Sequence, residues 1–115
     1  MQIGDHTFDV ATRAVVIGVI DAAATEPVGQ AEAMVADGAD LLELPPDGVE
    51  AVAARVELPI VDPAGDALDP ALLATCESAA AAALAVINGR RVIRTHDVRA
   101  VRRACDVIAA ILEAP

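Results

Sequence analysis

Residues 15–44, VVIGVIDAAATEPVGQAEAMVADGADLLEL, decide the fold. Val15 to Ile20 is a near-continuous β-branched run, the pattern of a strand covered on both faces. Pro27 suits the first position of a helix that runs to about Asp37, with Thr25 as its expected N-cap and Gly38 as its stop. Asp40 to Leu44 reads as a second strand. A strand, a helix and a strand in this order make a parallel βαβ unit with a right-handed crossover.

The same alternation continues down the chain. Pro45-Pro46 breaks it, and Asp47 is expected to cap a second helix in which Val49, Val52, Ala53 and Val56 share one face. Leu58 to Asp62 reads as the third strand. Asp69-Pro70 is expected to open a long Ala-rich third helix reaching about Ile87, ended by Asn88-Gly89. Val92 to Thr95 is the fourth strand, and the last helix sets Val98, Val101, Cys105, Ile108 and Leu112 on one face. Met1 to Val10 reads as a leader hairpin turning at Gly4-Asp5. The expectation is a single α/β domain over residues 1–115, with four βα units around a parallel sheet, half of a TIM-type barrel, preceded by the N-terminal hairpin. Its two unpaired sheet edges favour a homodimer, in which two copies either complete an eight-stranded arrangement or pair through helices.

Composition narrows the function classes. The chain has 115 residues, 56% of them hydrophobic, enough for one core. Its longest apolar run, Ala79 to Ile87, is far short of a membrane span, so a soluble cytoplasmic protein without a membrane partner is expected. Eighteen acids against 8 bases leave a net charge of −10, which repels nucleic acid over most of the surface. Every base is Arg, so Schiff-base chemistry and a lysine phosphate clamp are excluded within the chain. Phe8 is the only aromatic residue among Phe, Tyr and Trp, so a flat heterocycle would have to stack on a guanidinium or on aliphatic walls. Cys76 and Cys105 fall in expected helices without metal-ligand spacing and read as small buried apolar residues.

Candidate chemistry concentrates in residues 89–105, GRRVIRTHDVRAVRRAC. Arg94 and His96, spaced i and i+2, share one side of a strand end. Asp97 then opens a helix whose free N–H groups and dipole favour an anion nearby. The same residues also fit an exposed basic strand end with no ligand. Asp21, Glu43 and Asp62 stand at or near strand C-terminal ends, where α/β proteins place function. Three converging acids suit a divalent cation, and equally suit solvated loop positions in an acidic chain. His6 reads as a solvated turn residue and Ser78 as a mid-helix position, so no Ser-His-Asp arrangement is expected.

Four segments, in order, carry a resemblance. They are Ile3-Gly4-Asp5 through Phe8-Asp9 with Val15 to Asp21; Gln30 to Glu43, QAEAMVADGADLLE; Pro59 to Asp62; and Pro70 to the C-terminus with its Arg94-x-His96-Asp97-Val98. Together they resemble dihydropteroate synthase, the pterin-binding TIM-barrel family of folate biosynthesis. The resemblance implies that Arg94 and His96 match the residues holding the pterin pyrophosphate and that Asp62 matches a pterin-contacting Asp. Asp21 stands where the family ends its first strand with Asn, which completes a ligand-binding set of Asp21, Asp62, Arg94 and His96. Ala22-Ala23-Ala24-Thr25-Glu26 and Pro45-Pro46-Asp47-Gly48 replace the family's substrate loops, and strands four to seven, with the catalytic-site Lys, have no counterpart. The chain is thus expected to be a half-length, non-catalytic relative with no cofactor or metal, binding a pterin, a phosphate-bearing ligand or a protein partner. Pairing through the late helices, as in the family, is expected of the homodimer. The alternative is a dihydropteroate synthase-type transferase whose active site is completed by dimerisation or by a second chain.

Overall fold

Alternating short strands and helices build an α/β domain, seen here in a computed structural model that describes residues 2–3, 6–10, 13–61 and 68–113. In chain order its elements are β1 (Gln2–Ile3), β2 (His6–Thr7), β3 (Val15–Val19), α1 (Pro27–Ala36), β4 (Leu41–Glu43), α2 (Val49–Ala53), β5 (Ile60–Val61), β6 (Leu73–Thr75), α3 (Ala79–Ile87), β7 (Val92–Thr95) and α4 (Val98–Glu113). A 3-10 turn, Pro46–Gly48, leads into α2. β1 and β2 pair antiparallel as the leader hairpin, while its expected turn at Gly4-Asp5 lies outside the described residues.

Among the described residues the main sheet has five strands, all parallel, in the order β5-β4-β3-β7-β6. The steps β3 to β4, β4 to β5 and β6 to β7 all advance the same way across it. Right-handed crossovers therefore place the connecting helices on one face, in contrast to doubly wound sheets. Side-chain alternation agrees. Val16, Leu42 and Ile93 share a cluster with Met34 of α1, Val52 of α2, Val86 of α3 and Val101 of α4. Val15, Ile17, Leu41, Val61 and Val92 point to the opposite face, where Phe8, Val10, Leu68 and Leu72 cover them. Both faces being covered is why Val15 to Ile20 is apolar without alternation. Gly18 brings α1 and α4 onto β3, since a Cβ there would sit 2.6 Å from Met34 Sδ and 3.1 Å from Val98 Cγ2.

The structure corrects several expected boundaries. The segment expected to be one helix from Pro70 to Ile87 is instead a turn, the edge strand β6 and then α3. Asp69 Oδ1 does accept the Ala71 N–H at 2.9 Å, and the Asp69 carbonyl accepts from Leu72 and Leu73, but this single turn does not propagate. Leu73 to Thr75 pairs instead with Val92 to Arg94, adding a fifth strand. Ser78, expected mid-helix, is the true N-cap, its Oγ accepting the Ala81 N–H at 3.1 Å. Cys76 accordingly precedes α3, although it is buried as expected. Glu26 rather than Thr25 occupies the N-cap of α1, and neither α1 nor α2 has a side-chain cap, so Asp47 does not play that role. On α4 the inward stripe is Val98, Val101, Arg102 and Cys105, while Leu112 is largely exposed.

Candidate functional site

Parallel strands deliver all their C-terminal ends to one edge, and there the candidate residues gather. Alternation turns Leu42, Ala74 and Ile93 towards the helices, so Glu43, Thr75 and Arg94 project on the opposite face. Arg94 is paired in register with Ile17 and Thr75, and its guanidinium crosses β3 to reach β4. Its Nε donates to Glu43 Oε1 at 2.8 Å, its Nη2 to Glu43 Oε2, and its Nη1 to Thr75 Oγ1 at 3.1 Å. Every guanidinium nitrogen is engaged. The hydrogen bonds to Glu43, reinforced by its charge and that of Glu77, hold the Arg94 pKa above its ordinary value against the effect of burial.

His96 lies one residue beyond β7 and is clasped on both sides. Its Nε2 is 3.0 Å from Asp21 Oδ1, in the loop after β3, and its Nδ1 is 3.1 Å from Glu77 Oε1, in the loop after β6. The His96 backbone N–H also donates to the Glu77 carboxylate, at 3.2 and 3.3 Å. Hydrogen bonding to Asp21 first, then to Glu77, with the charges of both, raises the imidazole pKa. Next along the chain, Asp97 Oδ1 accepts the Ala100 N–H at 3.3 Å, so the start of α4 already meets a carboxylate of its own.

Arg94 and His96 are therefore brought to the edge expected of them, together with acids that pair with them. Asp21 and Glu43 are partners of His96 and Arg94, and Asp62 lies outside the described residues. Among the described residues, no group of three His, Cys, Asp or Glu side chains is arranged to hold a metal ion. A cavity of about 170 Å³ opens beside Asp21, between the loops after β3 and β4, walled by Ile20, Pro27, Leu44 and Asp47. Burial pushes up the thiol pKa of both Cys76 and Cys105.

Thr75 and Glu77 were hidden by the helix expected over residues 70–87. The cue to them is the sequence Thr75-Cys76-Glu77-Ser78, where a capping Ser marks a helix start and an acid stands just before it. Arg102 is the other residue missed. It interrupts the apolar stripe of α4 and is buried at the N-terminal end of the sheet. There its Nη1 donates to Asp40 Oδ2 at 2.8 Å and its Nη2 to the Ala14 carbonyl at 2.9 Å; Nε and Nη2 reach Asp106 Oδ1 at 3.0 and 2.8 Å. Asp40 Oδ2 also accepts the Val16 N–H at 2.9 Å. Arg90 and Arg91 turn inward too, donating to the carbonyls of Pro70 and Val86.

A second feature lies on the outer side of α3 and α4. An open groove of about 560 Å³ is lined by Ala79, Ala80, Ala83, Ala100, Ala104 and their neighbours, with Arg103 as the charged residue of the lining. Leu84 and Ile87 of α3 and Val107 and Ile111 of α4 are each more than half exposed. No helix among the described residues is long and apolar enough to cross a membrane. No family model and no curated protein matches the chain.

Proposed function

We propose that this chain is a non-catalytic, dihydropteroate synthase-like half-barrel domain of the cytoplasm that works by association, first with a second copy of itself. The observation that carries this reading is the exposed apolar face of α3 and α4. Residues 79–87 contain no charged side chain in a chain of net charge −10, so two copies would meet there with less repulsion than across its acidic surfaces. The alanine floor lets helices of two protomers approach closely, and Leu84, Ile87, Val107 and Ile111 supply apolar area beside it. The strand order also supports the half-barrel reading. It is the order that remains when three successive strands are removed from an eight-stranded ring in which the last strand closes on the first.

Association takes precedence over ligand binding because the Nε, Nη1 and Nη2 of Arg94 each already donate to Glu43 or Thr75, and both ring nitrogens of His96 face acids, so carboxylate charge already surrounds the anion-binding groups. A pterin pyrophosphate would meet the charge of Glu43 beside Arg94 and of Asp21 and Glu77 beside His96. Light scattering at high micromolar concentration should give the mass of a dimer. Leu84→Glu with Ile111→Glu should give a folded monomer, because paired charges on each copy would face one another. A wild-type monomer, or a double variant that stays dimeric, would refute the reading.

A further inference from the structure

A neutral imidazole carries one N–H, yet both ring nitrogens of His96 lie at hydrogen-bond distance from carboxylates, 3.0 Å from Asp21 and 3.1 Å from Glu77. Ionised carboxylates only accept, so the doubly bonded state requires the imidazolium. Three loops meet in this one ring: the loop after β3 through Asp21, the loop before α3 through Glu77, and the loop before α4 through His96 itself. The neighbouring groups leave the proton to these three residues. Arg94 is bound by Glu43, and Asp97 caps α4. The two acids are held unequally. Glu77 accepts from the His96 backbone N–H as well as from the ring, whereas among the described residues Asp21 has the ring alone for its side chain.

We propose that protonated His96 is a latch holding the loop after β3 against the starts of α3 and α4, and that loss of its proton releases Asp21. The remaining ring N–H stays with Glu77, because the backbone bond keeps that carboxylate in place. Asp21 lines the small cavity between the loops after β3 and β4, so the same proton controls one wall of that cavity. The raised imidazole pKa, caused first by Asp21 and then by Glu77, agrees with this arrangement. The device makes the C-terminal edge firm below the raised imidazole pKa and looser above it.

The chain has two histidines, so ring ¹⁵N spectra of the full chain are simple to read, with His6→Gln providing the assignment. At pH 6 the His96 ring should show both nitrogens protonated, with a titration midpoint above the ordinary value of about 6.5. Backbone amides of residues 21–24 should shift with that same midpoint, and those of 77 and 78 less. Asp21→Asn and Glu77→Gln should each lower it. A midpoint at or below about 6.5, a neutral-tautomer pattern at about pH 6, or loop amides that stay still through the ring titration would overturn the latch. The wild-type spectra decide the matter even where a variant folds poorly.

Discussion

The two ends of one sheet each hold an arginine in carboxylates, and the clasps are built differently. At the N-terminal end the Arg102 side chain is 6% exposed, and the network includes the backbone itself, through the Ala14 carbonyl and the Val16 N–H. At the C-terminal end Arg94 is 27% and His96 47% exposed, and most of their partners are side chains on strand ends and loops. The first arrangement ties α4 to the entry of β3 and cannot be re-partnered without stranding buried groups. The second can exchange partners with solvent or ligand at modest cost. A parallel sheet thus separates stability from adaptable chemistry by strand direction alone.

The largest test of this contrast is Arg102→Ala. It leaves Asp40 and the Ala14 carbonyl without their main donor, and urea unfolding at pH 7 should show a loss of about 3–5 kcal/mol. A loss below about 1 kcal/mol, the value of an exposed pair, would erase the distinction between the ends. Arg94→Ala should cost less, about 2 kcal/mol, because Glu43 is buried but the guanidinium site is open enough for water to enter. Glu43→Gln with Arg94→Met should recover part of that loss by removing the stranded charge.

The smallest effect belongs to His96. Its pKa is raised in the folded chain, so its contribution is complete below about pH 6.5 and fades as pH rises through the raised value. The melting-temperature gap between wild type and His96→Gln should be widest near pH 6 and close towards pH 9. A gap that widens with pH would reverse the sign and place a neutral imidazole in the clasp.

The central strands and the last helix were legible in the sequence because buried parallel strands impose runs with few polar residues, β-branched above all in Val15 to Ile20, and α4 repeats its apolar residues at helical spacing. Gly38 was legible as a stop because it must take a positive φ, +102°. β6 was not, since Asp69-Pro70 is a genuine local helix start and Leu72 to Thr75 has too few residues to show a strand period. Sheet pairing with β7 overrides the local signal there. At the site, strand-end position and i, i+2 spacing were enough to place Arg94 and His96 on the C-terminal edge. Their partners were not legible, because Glu43, Asp21 and Glu77 come from other strands, and only the strand order decides which acid faces which base. Arg102 was passed over because a charged residue on an apolar stripe looks like a surface position until Asp40 and Asp106 are seen around it.

Strand order also governs how the molecule can be made. β3, the first strand of the main sheet, pairs with β7, the last, with Val15 opposite Val92. The central ladder therefore joins segments separated by most of the chain, and closing so long a loop carries an entropic cost before any contact offsets it. During synthesis, β3, β4 and β5 emerge with one side of β3 unpaired, and that side stays bare until β7 has left the ribosome. The nascent protein thus passes through a stage with an apolar strand edge exposed, when a chaperone or a neighbouring nascent chain can compete for the place that β7 will take.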